Sequence, residues 1–301
     1  MIKVSVIITA FGKPHFLEKA IKSVFNQTLK NIELIVVDDN TPGTEARLLT
    51  EEIVNRLSNS DIDIVYLKHQ HNKNGAAARN TGIVVAKGEY LSFLDSDDEY
   101  FSERLEKCSV KMEQCSDEIA GVYTGCEFRK NGKKYSSHKK VQSGNFMVAT
   151  LACVFKFGTG SNLFIRKTVV DQLSGFDERF LRHQDYEFLV RLFKEYSLQG
   201  ISDVLVIKNN ENTNLPDVHK MIDIKSQYLL KYESIIQSLP DDSQRFIYHS
   251  QYIAIAEQAI RAKHFAVANN YYLRAAQHGS LSVRNRVRRL IFSIINLINN
   301  D

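Results

Sequence analysis

Gly88-Glu89-Tyr90-Leu91-Ser92-Phe93-Leu94-Asp95-Ser96-Asp97-Asp98 is the stretch on which the fold turns. Tyr90 to Leu94 reads as a short strand, and it ends abruptly in a run of carboxylates. Upstream, Gly75 opens an alanine-rich helix that stops near Lys87-Gly88, where Gly88 is expected to cap it. Before that helix, Ile62 to Leu67 reads as a strand and Glu45 to Leu57 as a charged helix, entered through the turn Thr41-Pro42-Gly43. Ile32 to Val37 and the β-branched run Val4 to Ala10 supply two more strands. Between them Pro14 fits a helix first turn, and Phe16, Leu17, Ala20, Ile21, Val24 and Phe25 follow at helical spacing. Strand and helix in this alternation mean an α/β fold with a mainly parallel, doubly wound sheet.

Downstream, a helix is expected from Ser102 to Gln114 and a strand from Val122 to Phe128, followed by the hairpin turn Asn131-Gly132. A short strand from Ser161 to Ile165, a helix from Gln184 to Tyr196 and a strand from Ile201 to Ile207 complete the pattern. The polar run from Asn209 to Asn214 then breaks it, and everything after reads as helical. The expected organisation is a domain over 1–215 and a helical segment over 216–301.

With 301 residues, 44% of them apolar and 25% charged, the chain has enough for a sizeable core and is not disordered. A net charge of +4 is too mild to argue for a nucleic-acid partner. Cys108, Cys115, Cys126 and Cys153 form no C-x-x-C pair and read as reduced thiols. The apolar N-terminus breaks at Gly12 and Pro14, too soon for a signal segment, so a cytoplasmic location is expected.

Open α/β sheets bind ligands beyond the carboxyl ends of their strands. Those ends carry Ala10-Phe11, Asp38-Asp39-Asn40 and Asp95-Ser96-Asp97-Asp98. Crowded carboxylates repel one another unless a cation sits among them, and magnesium is typically held by one or two carboxylates plus substrate phosphates. The competing reading is an acidic turn capping the next helix. Asp38 and Asp39 either recognise the imide edge of a uracil or thymine base or serve as turn residues. Phe11 either stacks on that base or packs. Gly75-Ala76-Ala77-Ala78-Arg79-Asn80 lets a phosphate approach a helix N-terminus, with Arg79 adding charge; the alternative for Arg79 is a surface ion pair. Asp185, in His183-Gln184-Asp185-Tyr186-Glu187, reads as a helix first-turn residue on sequence alone.

Together these pieces resemble glycosyltransferase family 2, with the GT-A fold. The resemblance is carried by Val4 to Phe11, Phe25-Asn26-Gln27-Thr28, Val36 to Asn40, Asn74 to Asn80, Gly88 to Asp98, Gly175-Phe176-Asp177-Glu178 and Gln184 to Glu187, in family order, over residues 1–208. It implies a donor half over 1–100 and an acceptor half over 101–215. It implies an inverting, metal-dependent transfer from a nucleotide-diphosphate sugar to a saccharide hydroxyl. Thr9, Phe11, Asp38, Asp39, Arg79, Asp95 and Ser96 would bind the nucleotide, and Asp97 with Asp95 would hold Mn2+ or Mg2+. Asp185 would be the catalytic base, with Gln184, His183 and Asp177 on the acceptor side. The family usually has Glu-Asp where this chain has Gln184-Asp185, which changes the neighbour's charge and leaves the base in place. His219 is a metal-ligand candidate by position only. The donor is expected to be a UDP-sugar, with dTDP-rhamnose the alternative. An inactive nucleotide-sugar-binding relative and a nucleotidyltransferase are the rival readings. Phe11-Gly12-Lys13-Pro14 suits the nucleotidyltransferase poorly.

Residues 216–301 lie outside the resemblance. Ala254 to Ala276 is faintly similar to one tetratricopeptide-type helix pair, or is a plain helical pair. The last segment, Arg284 to Ile298, places Arg284, Arg286, Arg288 and Arg289 before an apolar run. It reads as a peripheral contact with an anionic membrane surface, or as a face that packs on protein. Family members that build O-antigen, capsule or exopolysaccharide suggest a polyprenyl-diphosphate-linked acceptor.

Overall fold

The structure is a computed structural model that describes residues 2–58, 64–209 and 217–289. It divides into two compact units, 1–145 with 156–213, and 146–155 with 214–301.

In the first unit, β1 (Val4–Ala10), β2 (Ile32–Asp38) and β4 (Tyr90–Asp95) are buried nearly throughout, and β3 (Ile64–Lys68) lies at the edge. They form the parallel array β3-β2-β1-β4, threaded by α1 (Pro14–Phe25), α2 (Glu45–Leu57) and α3 (Gly75–Val85). Buried valines, isoleucines and leucines on β1 and β2 meet Leu17, Ala20, Ile21 and Val24 of α1 in one core. Register does the functional work. Ala10 pairs with Asp38 and Thr9 with Asp95, so the polar ends of β1, β2 and β4 are level.

The other half of the sheet is mixed. β5 (Asp98–Tyr100), α4 (Arg104–Glu113), β6 (Ile119–Lys130) and β7 (Lys133–His138) follow β4 in the chain. After them come the 3-10 turn Gly160–Asn162, β8 (Phe164–Arg166), α6 (Lys167–Gln172), α7 (Gln184–Leu192) and β9 (Ser197–Asn209); the short helix α5 (Met147–Leu151) belongs to the second unit. β8 runs antiparallel to β4 and β6, β5 antiparallel to β9, and β6 parallel to β9. The β6–β7 hairpin turns at Asn131 and Gly132, both at positive φ, as the Asn-Gly pair requires.

Gly88 has a different job from the expected helix cap. α3 ends at Ala86 in extended conformation, and a Cβ on Gly88 would clash with the Ser5 backbone nitrogen. The glycine is needed for close approach to β1.

The second unit packs α5 with α8 (Val218–Lys231), α9 (Glu233–Ser238), α10 (Asp241–Arg261) and α11 (Phe265–His278). Ile255, Ala256 and Ala259 of α10 meet Ala268, Tyr271, Tyr272 and Ala275 of α11. Residues 283–289 are helical. Arg288 and Arg284 reach Glu257, at 2.8 Å and 3.6 Å, so part of the basic stretch is spent within the unit. The apolar part of Arg284 to Ile298, from residue 290 on, lies outside the described residues. No described helix is long and apolar enough to cross a membrane. His219 lies in this unit, its ring 6.0 Å from that of His264.

Candidate active site

The level strand ends bring most of the expected residues to one edge of the first unit. Asp38 ends β2 fully buried. One of its carboxylate oxygens accepts from the backbone and side-chain nitrogens of Asn40; the other accepts from Tyr66 Oη at 2.6 Å and is ion-paired with Arg47, Nε standing 3.0 Å away. Asp39 is equally engaged. His69 Nδ1 stands 2.7 Å from Oδ1, which also accepts from the Lys73 backbone; Asn72 Nδ2 and the Asn74 backbone donate to Oδ2. The pair thus acts first as a brace that shapes the 69–74 loop and delivers Asn74 to the start of α3. Phe11, by contrast, is 61% exposed just past β1, with its ring available for stacking.

Asn74 opens α3 with its side chain accepting from the backbone of Ala76 and Ala77. One turn on, Arg79 projects toward β4. Its Nη2 donates to Asp95 Oδ1 at 2.8 Å and its Nη1 to Gln184 Oε1 at 2.9 Å, with the guanidinium 5.4 Å from the centre of the Phe176 ring. Asn80, on the same helix, exchanges hydrogen bonds with the Phe176 backbone and donates to Glu178. These contacts hold the 175–178 turn and the start of α7 against α3.

Asp95, Asp97 and Asp98 offer oxygens that lie within 4.8 Å of one another, with Ser96 in the turn between the two short strands. Their surroundings differ. Burial works to raise the Asp95 pKa, but Arg79 and Lys208 outweigh it and hold the group below the usual carboxylate range. Asp97 is raised by burial and by the charge of Asp95, against the pull of Lys208. Asp98 is pushed up to about 6, by burial first and by both neighbouring carboxylates, while Lys208 opposes. Asp98 also accepts from Ser161 Oγ at 2.6 Å, Thr159 Oγ1 at 3.0 Å and the Asn209 backbone at 3.2 Å. It is a brace for the 3-10 turn Gly160–Asn162. Arg104, wholly buried at the start of α4, supports the same turn through Asn162 and the Ser161 carbonyl. Asp97 and Asp95 keep 31% and 27% of their side chains exposed, with Lys13 Nζ 4.0 Å from Asp97 Oδ2. A hard divalent cation held by two carboxylates and completed by phosphates fits such a donor set.

Asp185 sits in the first turn of α7. Burial raises its pKa, Arg79 opposes, and the charge of Asp95 adds to the rise. Gly160 lies opposite. A Cβ there would stand 3.8 Å from Arg79 Nη2 and 3.9 Å from Asp185 Oδ2. A cavity of about 130 Å³ is lined by Arg79, Asp95, Gly160, His183, Gln184 and Asp185, with Leu181 and Arg182 at its margin. Arg79, Asp95 and the acceptor-side residues His183, Gln184 and Asp185 therefore share one space. Asp177 is not among its lining residues, and its carboxylate is taken by Arg179 through a paired contact.

Sequence reasoning missed Lys208, Ser161, Thr159 and Gly160. No local pattern marks them; β5–β9 pairing and the 3-10 turn bring them in.

Residues 5–174 match the model for Glycosyl transferase family 2. The chain is 32% identical over 206 residues to the GalNAc(5)-diNAcBac-PP-undecaprenol beta-1,3-glucosyltransferase of Campylobacter jejuni, covering 65% of this chain and 62% of that protein. It is 26% identical to the UDP-Glc:alpha-D-GlcNAc-diphosphoundecaprenol beta-1,3-glucosyltransferase WfaP of Escherichia coli, covering 78% of this chain and 83% of that one. TarS 1-349 of S. aureus, solved in complex with UDP-GlcNAc, superposes with a TM-score of 0.57 at 15% identity, covering 96% of this chain and 89% of that one. The last likeness shows a shared fold, the GT-A architecture expected from the sequence. On the family match and the sheet together, the chain belongs to glycosyl transferase family 2.

Proposed function

We propose that the protein is an inverting glycosyltransferase that moves a sugar from a UDP-sugar to a hydroxyl of a saccharide carried on polyprenyl diphosphate. The observation that carries this reading is the shared cleft, in which the half-buried Asp185 and Arg79 both stand near Gly160 and Asp95 lines the same space. The donor class is supported by the UDP-glucose in the name of the E. coli relative, and the acceptor class by the diphosphate-linked undecaprenol in the names of both relatives.

In this reading Asp185 takes the proton from the acceptor hydroxyl as that oxygen attacks the anomeric carbon. Attack comes from the face opposite the leaving diphosphate, so one displacement inverts configuration. Phe11 stacks on the uracil and Thr9 borders it. Asp38 and Asp39 hold the loops that shape the base pocket, and Ser96 lies toward the ribose. Arg79 binds the diphosphate side while keeping hold of Gln184. His183 and Gln184 border the acceptor, and Asp177 supports that side through Arg179. Asp95 and Asp97 would hold Mn2+ or Mg2+, which offsets charge that grows on the leaving nucleoside diphosphate. Alignment of the two substrates supplies much of the rate. The protein would work at the membrane face that presents its lipid-linked acceptor.

The test is nucleotide release over a panel of UDP- and dTDP-sugars, with manganese and with chelator, on the wild type and on Asp97→Ala. Metal-dependent release from one donor, lost in the variant, is the expected result. No release and no metal-dependent binding of any nucleotide sugar would sink the transferase reading of this site.

A further inference from the structure

Lys208 stands at the carboxylate cluster, and the function above leaves it without a part. β9 runs antiparallel to β5, and the register puts Lys208 directly across from Asp98. Its Nζ stands 3.4 Å and 3.5 Å from the two Asp98 oxygens. These distances exceed the 2.7–2.9 Å typical of a tight charge-assisted bond. The short contacts to Asp98 come instead from Ser161 and Thr159. The ammonium therefore reaches Asp98 through two long contacts. Its side chain is 25% exposed. Its positive charge bears on Asp95, Asp97 and Asp98 alike. With Arg79 on Asp95 and Lys13 Nζ 4.0 Å from Asp97 Oδ2, three carboxylates thus face three cations.

We propose that Lys208 is a built-in cation of the carboxylate cluster, a positioning residue that holds down the affinity of Asp95 and Asp97 for a free divalent ion. The proposal rests on the nucleotide-sugar reading of the site. A cluster this nearly neutralised has little attraction for a bare dication. It gains that attraction when a diphosphate brings further negative charge and oxygen ligands. Lys208 thereby ties metal occupancy to the presence of donor.

The test is Mn2+ binding to the full chain without nucleotide, followed by loss of the free-ion paramagnetic resonance signal. Lys208→Met should bind Mn2+ about tenfold more tightly than the wild type or better, since a unit charge beside the carboxylates that would hold the ion has gone. Lys208→Arg, which keeps the charge, should stay within about twofold of the wild type. Circular dichroism checks that each variant folds. Should Lys208→Met fail to fold, the double variant Lys208→Met/Asp98→Asn is compared with Asp98→Asn alone, with the same tightening expected. Equal Mn2+ affinity with and without the lysine, including no binding in either, overturns the proposal. So does tightening in Lys208→Arg equal to that in Lys208→Met. Calorimetry of UDP with the wild type, run alongside, separates the two levels. UDP bound with unchanged Mn2+ affinity sinks only the role of Lys208, whereas no UDP bound with or without Mn2+ sinks the underlying reading.

Discussion

Gln184→Glu restores the residue usual in the family at this point, and the structure predicts that it harms this protein. Gln184 is 9% exposed and uses both ends of its amide. Its Oε1 accepts from Arg79 Nη1 at 2.9 Å; its Nε2 donates to the Phe180 carbonyl at 2.7 Å and to Asn74 Oδ1 at 3.2 Å. A carboxylate keeps and strengthens the first contact, worth about 1 kcal/mol more once charge-assisted. It turns the other two into oxygen facing oxygen. Asn74 Oδ1 retains its donors from the Ala76 and Ala77 backbone, so the larger loss is at Phe180. Removing a donor from a buried carbonyl costs about 1–3 kcal/mol, and placing a negative charge against it adds to that. The expected net is a destabilisation of about 2 kcal/mol, visible as a lower urea midpoint at unchanged slope. The deficit should shrink at acid pH, where a protonated carboxyl can donate to Phe180 as the amide does. The added charge also competes for Arg79, so kcat/KM should fall as well. A variant as stable and as active as the wild type at neutral pH would refute the reasoning and show that the 180–184 turn rearranges freely.

Three further outcomes follow from the geometry. Asp185→Asn should keep the fold and abolish transfer; because burial raises the Asp185 pKa and the ionised form is the base, wild-type kcat/KM should rise with pH to a half-point above the ordinary aspartate value, and a profile flat down to about pH 4 would contradict this. Gly160→Ala adds a methyl at ordinary contact distance from Arg79 and Asp185, so the unfolding temperature should hold while kcat/KM drops about tenfold to a hundredfold, as steady-state kinetics beside a thermal melt will decide. Asp98 has its folded pKa raised from 3.8 to about 6, so the stability it contributes is full below 3.8 and is lost as pH climbs through about 6; urea unfolding across that window should show the wild type losing stability relative to Asp98→Asn, and parallel curves would argue against the assignment.

The donor-side architecture was legible because its signals are local. Apolar runs that end in carboxylates mark strands whose ends share one edge, and β1, β2 and β4 follow those runs closely. What stayed hidden depends on partners far along the chain. The Asp38-Asp39 pair looks like an open acceptor in the sequence, yet Tyr66, His69 and Asn72, about thirty residues on, supply its donors. Lys208 falls between the expected strand and the polar run that begins at Asn209; only antiparallel pairing with β5 carries it to Asp98. Gly88 looked like a cap because lysine-glycine commonly ends a helix, whereas its constraint comes from the Ser5 backbone, across the sheet. The helix α5 is short enough that neither propensity nor periodicity marks it, and its place is set by tertiary bonds: Tyr228 Oη to the Thr150 carbonyl and Gln251 Nε2 to that of Leu151.

On the proposed function, Arg79 would let one helix serve both substrates. Its fork spans Asp95, on the strand that ends in the carboxylate cluster, and Gln184, next to the proposed base. Two residues of α3's first turns, Asn74 and Asn80, pin the 176–178 segment that leads into α7. In-line displacement tolerates little drift between the leaving oxygen and the attacking one. Here that spacing is fixed through a single rigid element rather than through the loops on either side. A shift of α3 would move the donor and acceptor contacts together and preserve their alignment. Loss of the Arg79 fork would free one from the other, which is why a lysine at this position, with charge but no second arm, cannot substitute for it.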